Sequence, residues 1–519
     1  MYRDYLDPDW SAAQVLLVAL LVVPALGAIV TAVLPSARDR QARVVATVFA
    51  GLTFLLTLVV PVMRPTDFGW FAYTPLDDRP PALIPWTDVH VPWVPALGLD
   101  FHLGVDGVSY PLVALTGLLT VLCCAYTVKN VPEGGSGRAL AALLLVLEVG
   151  VLGTFLALDL LLFFVFFEVV LLPMYAVIAG WGGPERRRAA RKFVLYTLAG
   201  SVLLLLGVVT VLAAAGTGDL VALTGQNTLG RGTQALAFTL LLIAFAVKAP
   251  LWPLHTWLPD AHTEAPTVGS VILAGVLLKM GTYGLIRVGL GVAPDAAHAA
   301  GPVLGLLAVI AIVAGALICL RQHELKRLIA YSSVGHMGFV LLGIATFTTI
   351  GLEAALIGNV AHGLITGLLF FLVGTIKERS GTGSINQLGG LRESSPRLAG
   401  LLGFAAIASL GLPGLAGFWG EAFAVVAAVR VGGVFWTSLA VVAAIGGALT
   451  AAYFLRLLRQ VTHGPATPEV RAMRPTIAGL EWFAWAPLVL LTLAVGLLPA
   501  LVLSDVSLPL EGLLTGGRP

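Results

Sequence analysis

Six chargeable side chains stand inside runs that are otherwise apolar. They are Glu168 in LLFFVFFEVVLLPMY, Lys248 in LLIAFAVKAPLWPLH, Lys279 in SVILAGVLLKMGTYG, His336 in YSSVGHMGFVLLG, His362 in LIGNVAHGLITGLLFF and Glu421 in GLAGFWGEAFAVV. A charge at the centre of a bilayer costs about 2.5–3.5 kcal/mol or more, so such residues face a protein interior, pair with one another and mark ion pathways. Carboxylates, amines and imidazoles also share one chemistry, since each takes up and releases a proton. Each of the six falls near the middle of its run, so together they predict a chain at one depth, parallel to the membrane plane, along which a proton hops through water. A lone buried histidine is as readily a core residue held neutral by one hydrogen bond. Six groups at one depth favour the relay.

Signs refine the expectation. Glu168 and Lys248 are complementary, and a buried pair of this kind keeps both charged, while loss of one partner strands the other. Lys279 has no carboxylate of its own and is read as a relay group. Glu148, in ALLLVLEVGVLG, is a seventh mid-helix group with no partner to assign, and Asp159, near a helix end, is expected to be a solvated boundary residue. His255, Asp260, His262 and Glu264 cluster in PLHTWLPDAHTEAPT, where they form either a proton-uptake mouth or a polar loop.

The elements that must position these groups follow from composition. Of 519 residues, 58% are hydrophobic and 11% charged, against about a quarter charged in soluble proteins. Apolar runs of about 20 residues, enough to cross a hydrocarbon core, recur from Val15 to Leu498. They predict an all-α integral membrane fold of about fourteen helices, near 12–34, 42–63, 105–128, 138–157, 160–181, 191–215, 234–258, 266–288, 299–320, 326–346, 352–376, 397–427, 434–458 and 482–504. With that alternation, one set of loops holds twenty-one basic residues and the other seven, Arg287 among the seven. The bias puts the first set in the cytoplasm and both termini outside. Only Lys248 and Lys279, of 30 lysines and arginines, are left inside helices.

Two helices cannot be continuous. KAPLWP places Pro250 and Pro253 in the seventh run, and SLGLPGLAGFWGE places Pro413 among glycines in the twelfth, each removing backbone donors. Lys248 precedes one break and Glu421 follows the other. The breaks are five helices apart, an odd offset, which predicts two inverted five-helix repeats of the kind that build transporter pathways. The division expected is 1–137 for the first three helices, 138–290 for the first repeat, 291–460 for the inverted second repeat and 461–519 for the last helix.

Other classes are excluded or set aside. The net charge of +2 and the lack of basic blocks interleaved with aromatics argue against nucleic acid. Cys123, Cys124 and Cys319 lack the spacing of cluster ligands, no GxGxxG nucleotide loop occurs, and no metal ligand set is assigned. The opening MYRDYLDPDW is acidic and aromatic, so the first run reads as a retained helix rather than a cleaved leader.

The stretch AFAVKAPLWPLHTWLPDAHTEAPTVGSVILAGVLLKMGTYG, followed by LKRLIAYSSVGHMGFV and VAHGL, closely resembles the antiporter-like M-type subunits, subunit 4, of proton-pumping NADH:quinone oxidoreductase, respiratory complex I. The likeness runs from LGLDFHLGVDGVSYPLV through FFEVVLLPMY to the Glu421 helix, with no departure at the core motif positions. It implies fourteen helices with two inverted five-helix repeats. It also implies roles: Glu168 and Lys248 as interacting input pair, Lys279 and His336 as central relay, His362 as linker and Glu421 as terminal donor toward the outside. Glu148 lies outside the motifs that carry these roles. The chain ends at Pro519, without the lateral helix of the longest antiporter-like type, which argues against that type. FMN, iron–sulfur clusters, NADH and quinone are then expected on partner subunits and no cofactor on this chain. Its expected partners are other membrane subunits of the complex, neighbouring antiporter-like subunits among them, in a bacterial plasma membrane. The rival expectation is a subunit of a multi-subunit sodium/proton antiporter. A third reading, a scaffold whose polar groups serve helix association alone, fits buried lysines poorly, because such contacts favour Ser, Thr, Asn and Gln.

Overall fold

In lipid every backbone N–H and C=O must be satisfied within the protein, so a long apolar run becomes a helix. A computed structural model of the chain describes residues 11–63, 83, 85–94, 99–225, 229–504 and 506–515. Its spans are α1 Ala12–Val33, α2 Ser36–Val62, α3 Tyr110–Thr127, α4 Gly137–Leu156, α5 Leu160–Trp181 and α6 Arg186–Ala215. The seventh is split into α7a Arg231–Lys248 and α7b Trp257–Glu264. Then come α8 Thr267–Leu290, α9 Pro294–Leu320, α10 Leu325–Ala345 and α11 Thr349–Ser380. The twelfth is split into α12a Pro396–Ser409 and α12b Ala416–Val431, and α13 Gly433–Thr462 and α14 Gly479–Leu497 follow. Thirteen of these are individually long and apolar enough to cross a membrane among the described residues, and α12 crosses by joining its halves. The fourteen expected helices are therefore present, and the two broken ones are the fourth of each five-helix unit, α4–α8 and α9–α13.

Burial ranks the helices. The apolar stretch of α8 is 100% buried and that of α11 94%, whereas α2 buries 28%, so the helices carrying Lys279 and His362 form the centre of the bundle. Leu172, Leu195, Val303 and Leu490 are exposed at its rim, where lipid tails would cover them.

Several expectations need correction. Asp159 is buried, 1% exposed, because it caps α5: its Oδ1 accepts from the N–H groups of Leu161 and Leu162, both at 2.9 Å, satisfying donors that a helix start leaves free. Helix α6 starts at Arg186 rather than near 191, so the RRRAARK segment belongs to its first turns. Arg287 is not in a loop. It lies in α8, 2% exposed, and its Nη2 meets Asp106 Oδ2 at 2.5 Å while its Nε donates to the Tyr283 hydroxyl at 3.2 Å. Removing it from the outer loops changes the basic balance from twenty-one against seven to twenty-one against six. Arg3, Arg64, Arg79 and Arg518 of that count lie outside the described residues.

The fold is also not wholly helical. Between α2 and α3, β1 Thr87–Val94 pairs antiparallel with β2 Leu99–Val105. The hairpin rests on the joints between α4 and α5 and between α6 and α7: Leu158 N–H donates to His102 O at 2.8 Å and Leu220 N–H to Leu158 O at 2.8 Å. His102 Nδ1 and Nε2 lie 3.2 Å from Asp219 Oδ1 and Asp88 Oδ2. Burial opposes charge on this imidazole, but the two carboxylates outweigh it and its pKa is raised.

Cutting one end of a buried ion pair strands the other charge and costs about 3–5 kcal/mol, whereas replacing both ends with apolar groups is often nearly neutral. Arg287→Met alone should thus lower the thermal unfolding midpoint of the purified chain markedly, and Asp106→Leu with Arg287→Met should recover most of the loss. Equal losses in single and double variants would show that the stranded Asp106 charge is not what the single variant loses stability to.

Candidate proton pathway

The break in α7 follows from its prolines. Pro250 and Pro253 carry no N–H, and α7a ends at Lys248, with Ala249 N–H on Phe245 O at 2.7 Å and Leu251 N–H on Ala246 O at 2.9 Å. Across the gap, Trp257 Nε1 of α7b donates to Val247 O at 3.0 Å, supplying a carbonyl with the partner the helix no longer provides. Lys248 is 4% exposed and its Nζ lies 4.8 Å from the centre of the Phe167 ring, a cation–π distance. On the facing helix, a Cβ at Gly281 would sit 2.7 Å from Ala249 N and 2.8 Å from Phe245 O. Only glycine lets α8 come this close to the break.

Glu168, half-buried on α5, accepts a short hydrogen bond from the Ser201 hydroxyl of α6. No direct ion pair joins it to Lys248 within 4 Å among the described residues. Lys248 rests instead on Phe167, the residue before Glu168.

The other four groups lie in sequence, as two contacting pairs with a gap between them. Helix α8 widens into π-helical turns at Leu273–Leu277 and Leu285–Leu290, on either side of Lys279. Lys279, 0% exposed, donates to Ala274 O at 2.5 Å and lies 2.6 Å from His362 Nδ1 on α11. The His362 and His336 rings are 5.9 Å apart, centre to centre, and His336 Nδ1 on α10 is 2.9 Å from Glu421 Oε1 on α12b. A cavity of about 30 Å³ lined by His336, His362, Thr366, Ser409 and Glu421 fills the space between; one or two waters fit in that volume. Nε2 of both histidines is buried without a protein partner.

The break in α12 shapes the far end. Gly411 has φ +70°, and a Cβ there would stand 2.9 Å from Glu421 Oε2. Both the left-handed backbone and the space demand glycine. A Cβ at Gly420 would be 2.6 Å from Gly358 Cα, so α12b packs against α11 backbone to backbone.

The remaining candidates separate. Glu148 is 1% exposed with both oxygens unpartnered and is not joined to the Lys279–Glu421 series. His255, Asp260, His262 and Glu264 do not form a loop; the last three lie on α7b. Asp260 pairs with Lys192 at 2.6 Å and Arg327 at 3.5 Å, and Glu264 accepts from Glu185 N–H at 2.9 Å. His262 is fully buried and stacks on Phe370 at 4.5 Å. A cavity of about 860 Å³ opens beside Glu264, Lys326, Lys377 and Glu378. Glu378 accepts from Tyr126 at 3.2 Å and Thr267 at 2.5 Å, and Lys326 donates to Ala265 O at 2.9 Å. Sequence reasoning missed both charged residues, because their places at helix ends read as ordinary loop charge.

Residues 157–446 match the family described as NADH:quinone oxidoreductase/Mrp antiporter, TM. The chain belongs to this family. Among similar proteins, NAD(P)H-quinone oxidoreductase chain 4 1 of Nostoc sp. is 44% identical over 422 residues, covering 79% of this chain and 77% of the relative. NADH-quinone oxidoreductase subunit M of Rickettsia prowazekii is 40% identical over 429 residues, covering 81% and 85%. In respiratory complex I from Thermus thermophilus with bound NADH, one chain superposes with a TM-score of 0.82 at 30% identity, covering 97% of this chain and 100% of that one. A chain of the Mrp complex from Dietzia sp. DQ12-45-1b gives 0.81 at 25% identity, covering 96% of this chain and 52% of that one. The family resemblance and fold expected from the motifs are both borne out.

A Cβ at position 411 must strain the backbone or displace Glu421, at a cost of about 1–3 kcal/mol. Gly411→Ala should open the contact between His336 and Glu421 in a cryo-EM map of the variant; the contact kept at its present length would sink this account of the glycine.

Proposed function

We propose that this chain is a proton-translocating membrane subunit of an NADH:quinone oxidoreductase, driven by quinone reduction elsewhere in the complex. The observation that carries the reading is the series Lys279, His362, His336, Glu421, laid across four helices and ending beside the α12 break. Each imidazole engages a neighbour through Nδ1 and leaves Nε2 without a protein partner, and both residues line the small cavity. A proton passed from Lys279 to His362 Nδ1 is released at Nε2, crosses the gap through water, enters His336 at Nε2 and leaves from Nδ1 to Glu421. Lys248 and Glu168 act upstream: a change in the charge of Glu168 alters the field at Lys248, whose proton is then pushed across the Gly281 contact toward Lys279.

The chain's relatives are named as quinone oxidoreductase subunits at up to 46% identity, above the 25% of the Mrp chain, which favours this reading over a sodium/proton antiporter subunit. NADH, FMN, iron–sulfur clusters and quinone would then sit on other subunits, with this chain carrying no redox centre. Glu168 supports a protein neighbour at its flank, because a half-exposed carboxylate in a span is costly against lipid. A neighbouring antiporter-like subunit there would cover it and could set its charge. The basic balance supports both termini outside, and the bacterial relatives support a plasma membrane placement. The repeats would occupy 138–290 and 291–460, flanked by 1–137 and 461–519.

The test is proton pumping by the reconstituted complex. Lys248→Ala, Lys279→Ala and Glu168→Ala should assemble with the peripheral flavin and iron–sulfur subunits yet lose most acidification of the vesicle lumen. Glu168→Gln should also impair pumping, since it keeps shape and removes titration. Normal pumping in Lys248→Ala and Glu168→Ala, or sodium/proton exchange by an assembly lacking the redox subunits, overturns the proposal.

A further inference from the structure

Outside the relay, the hairpin between α2 and α3 brings together chemistry that the pumping reading does not use. His90 on β1 and His102 on β2 are register partners across the hairpin, with rings stacked 4.4 Å apart and 5° from parallel. Asp219, at the N-cap of the short helix Leu220–Leu223, meets His102 Nδ1 at 3.2 Å. One ligand atom from each of His90, His102 and Asp219 lies within 4.8 Å of the other two. Around them stand Asp88, 3.2 Å from His102 Nε2, and Asp100, 2.9 Å from His90 Nε2.

We propose that His90, His102 and Asp219 form a Zn²⁺ site that clasps the hairpin to the joint between α6 and α7. Two imidazoles and a carboxylate suit a borderline divalent ion and leave a fourth position for water. His102 would bind through Nδ1 while Asp88 holds its Nε2–H, the carboxylate–histidine arrangement that orients metal-bound imidazoles. Tetrahedral bonds of about 2.0–2.2 Å bring ligand atoms closer than the present spacing, and His90, whose side chain is 42% exposed, has the freedom to close in. A second, independent feature lies beside Asp219. Asp159 is 1% exposed, its Oδ2 has no hydrogen-bond partner, and a Cβ at Gly218, the residue before Asp219, would stand 2.6 Å from that oxygen. Two imidazoles here meet three carboxylates, those of Asp88, Asp100 and Asp219, an imbalance that a divalent ion offsets. The ligands come from segments more than a hundred residues apart, which is why no spacing in the sequence announces them.

The experiment is equilibrium dialysis of the full chain, purified in detergent and stripped with a chelator, against radiolabelled Zn²⁺. The unaltered chain should hold one equivalent more than His90→Gln, His102→Gln or Asp219→Asn, and difference X-ray absorption should show only nitrogen and oxygen neighbours. His102 is buried, so its replacement can loosen the hairpin; the exposed His90 cannot be dismissed in that way. Loss of Zn²⁺ in His102→Gln with full binding in His90→Gln overturns the site, as does equal binding in the unaltered chain and the double histidine variant. A sulfur neighbour in the difference spectrum overturns it too.

Discussion

Water is absent from the bilayer core, and every polar group placed there must find its partner in protein. That constraint organises the whole structure. It explains why the chargeable residues lie on the two most buried helices and their neighbours, and why the backbone is irregular only where side chains can repair it. The Val247 carbonyl freed at the α7 break is taken by an indole N–H, and the Ala274 carbonyl within a π-turn is taken by the Lys279 ammonium. These two irregularities are adjacent to Lys248 and Lys279, because the same release of backbone that would be costly in lipid makes room and partners for a polar side chain.

Close backbone approach is the second requirement. Proton transfer needs donor and acceptor within hydrogen-bond reach, or one water apart, and helices carrying large side chains at their contacts stand 8–10 Å apart. Glycines 281 and 420 remove that spacing at the two places where the broken helices meet α8 and α11. Glycine 411 does something different, providing a turn that an L-side chain adopts with difficulty and a surface against which the Glu421 carboxylate lies.

Much of this was legible in the residues. Lipid penalises charge so heavily that Glu168, Lys248, Lys279, His336, His362 and Glu421 announce themselves by type and setting alone, and the prolines mark both breaks. What was not legible depends on packing. The order Lys279, His362, His336, Glu421 is set by which helices are neighbours, and no run of residues encodes it. The π-turns of α8 leave no periodic signature in a run buried on every side. Arg287 read as loop charge because it lies near the end of its span, yet Asp106, in the joint between β2 and α3, draws it inward. The hairpin escaped because eight- and seven-residue strands of mixed polarity resemble any long loop.

Burial of a charge does not by itself make a relay, and α8 contains the contrast. Arg287 and Lys279 are both buried cations on this helix, two turns apart, and each has a close partner. Arg287 faces a carboxylate and a tyrosine hydroxyl; a guanidinium does not give up its proton in proteins, so the pair is a permanent brace between the β2–α3 joint and α8. Lys279 faces a neutral-capable imidazole and a carbonyl. An amine gives up its proton far more readily than a guanidinium, and imidazole can receive it and pass it on from the opposite nitrogen. The difference between brace and relay therefore lies in the partner as much as in the cation: beside a guanidinium a carboxylate holds charge in place, while an imidazole beside an amine gives the proton a second site to occupy.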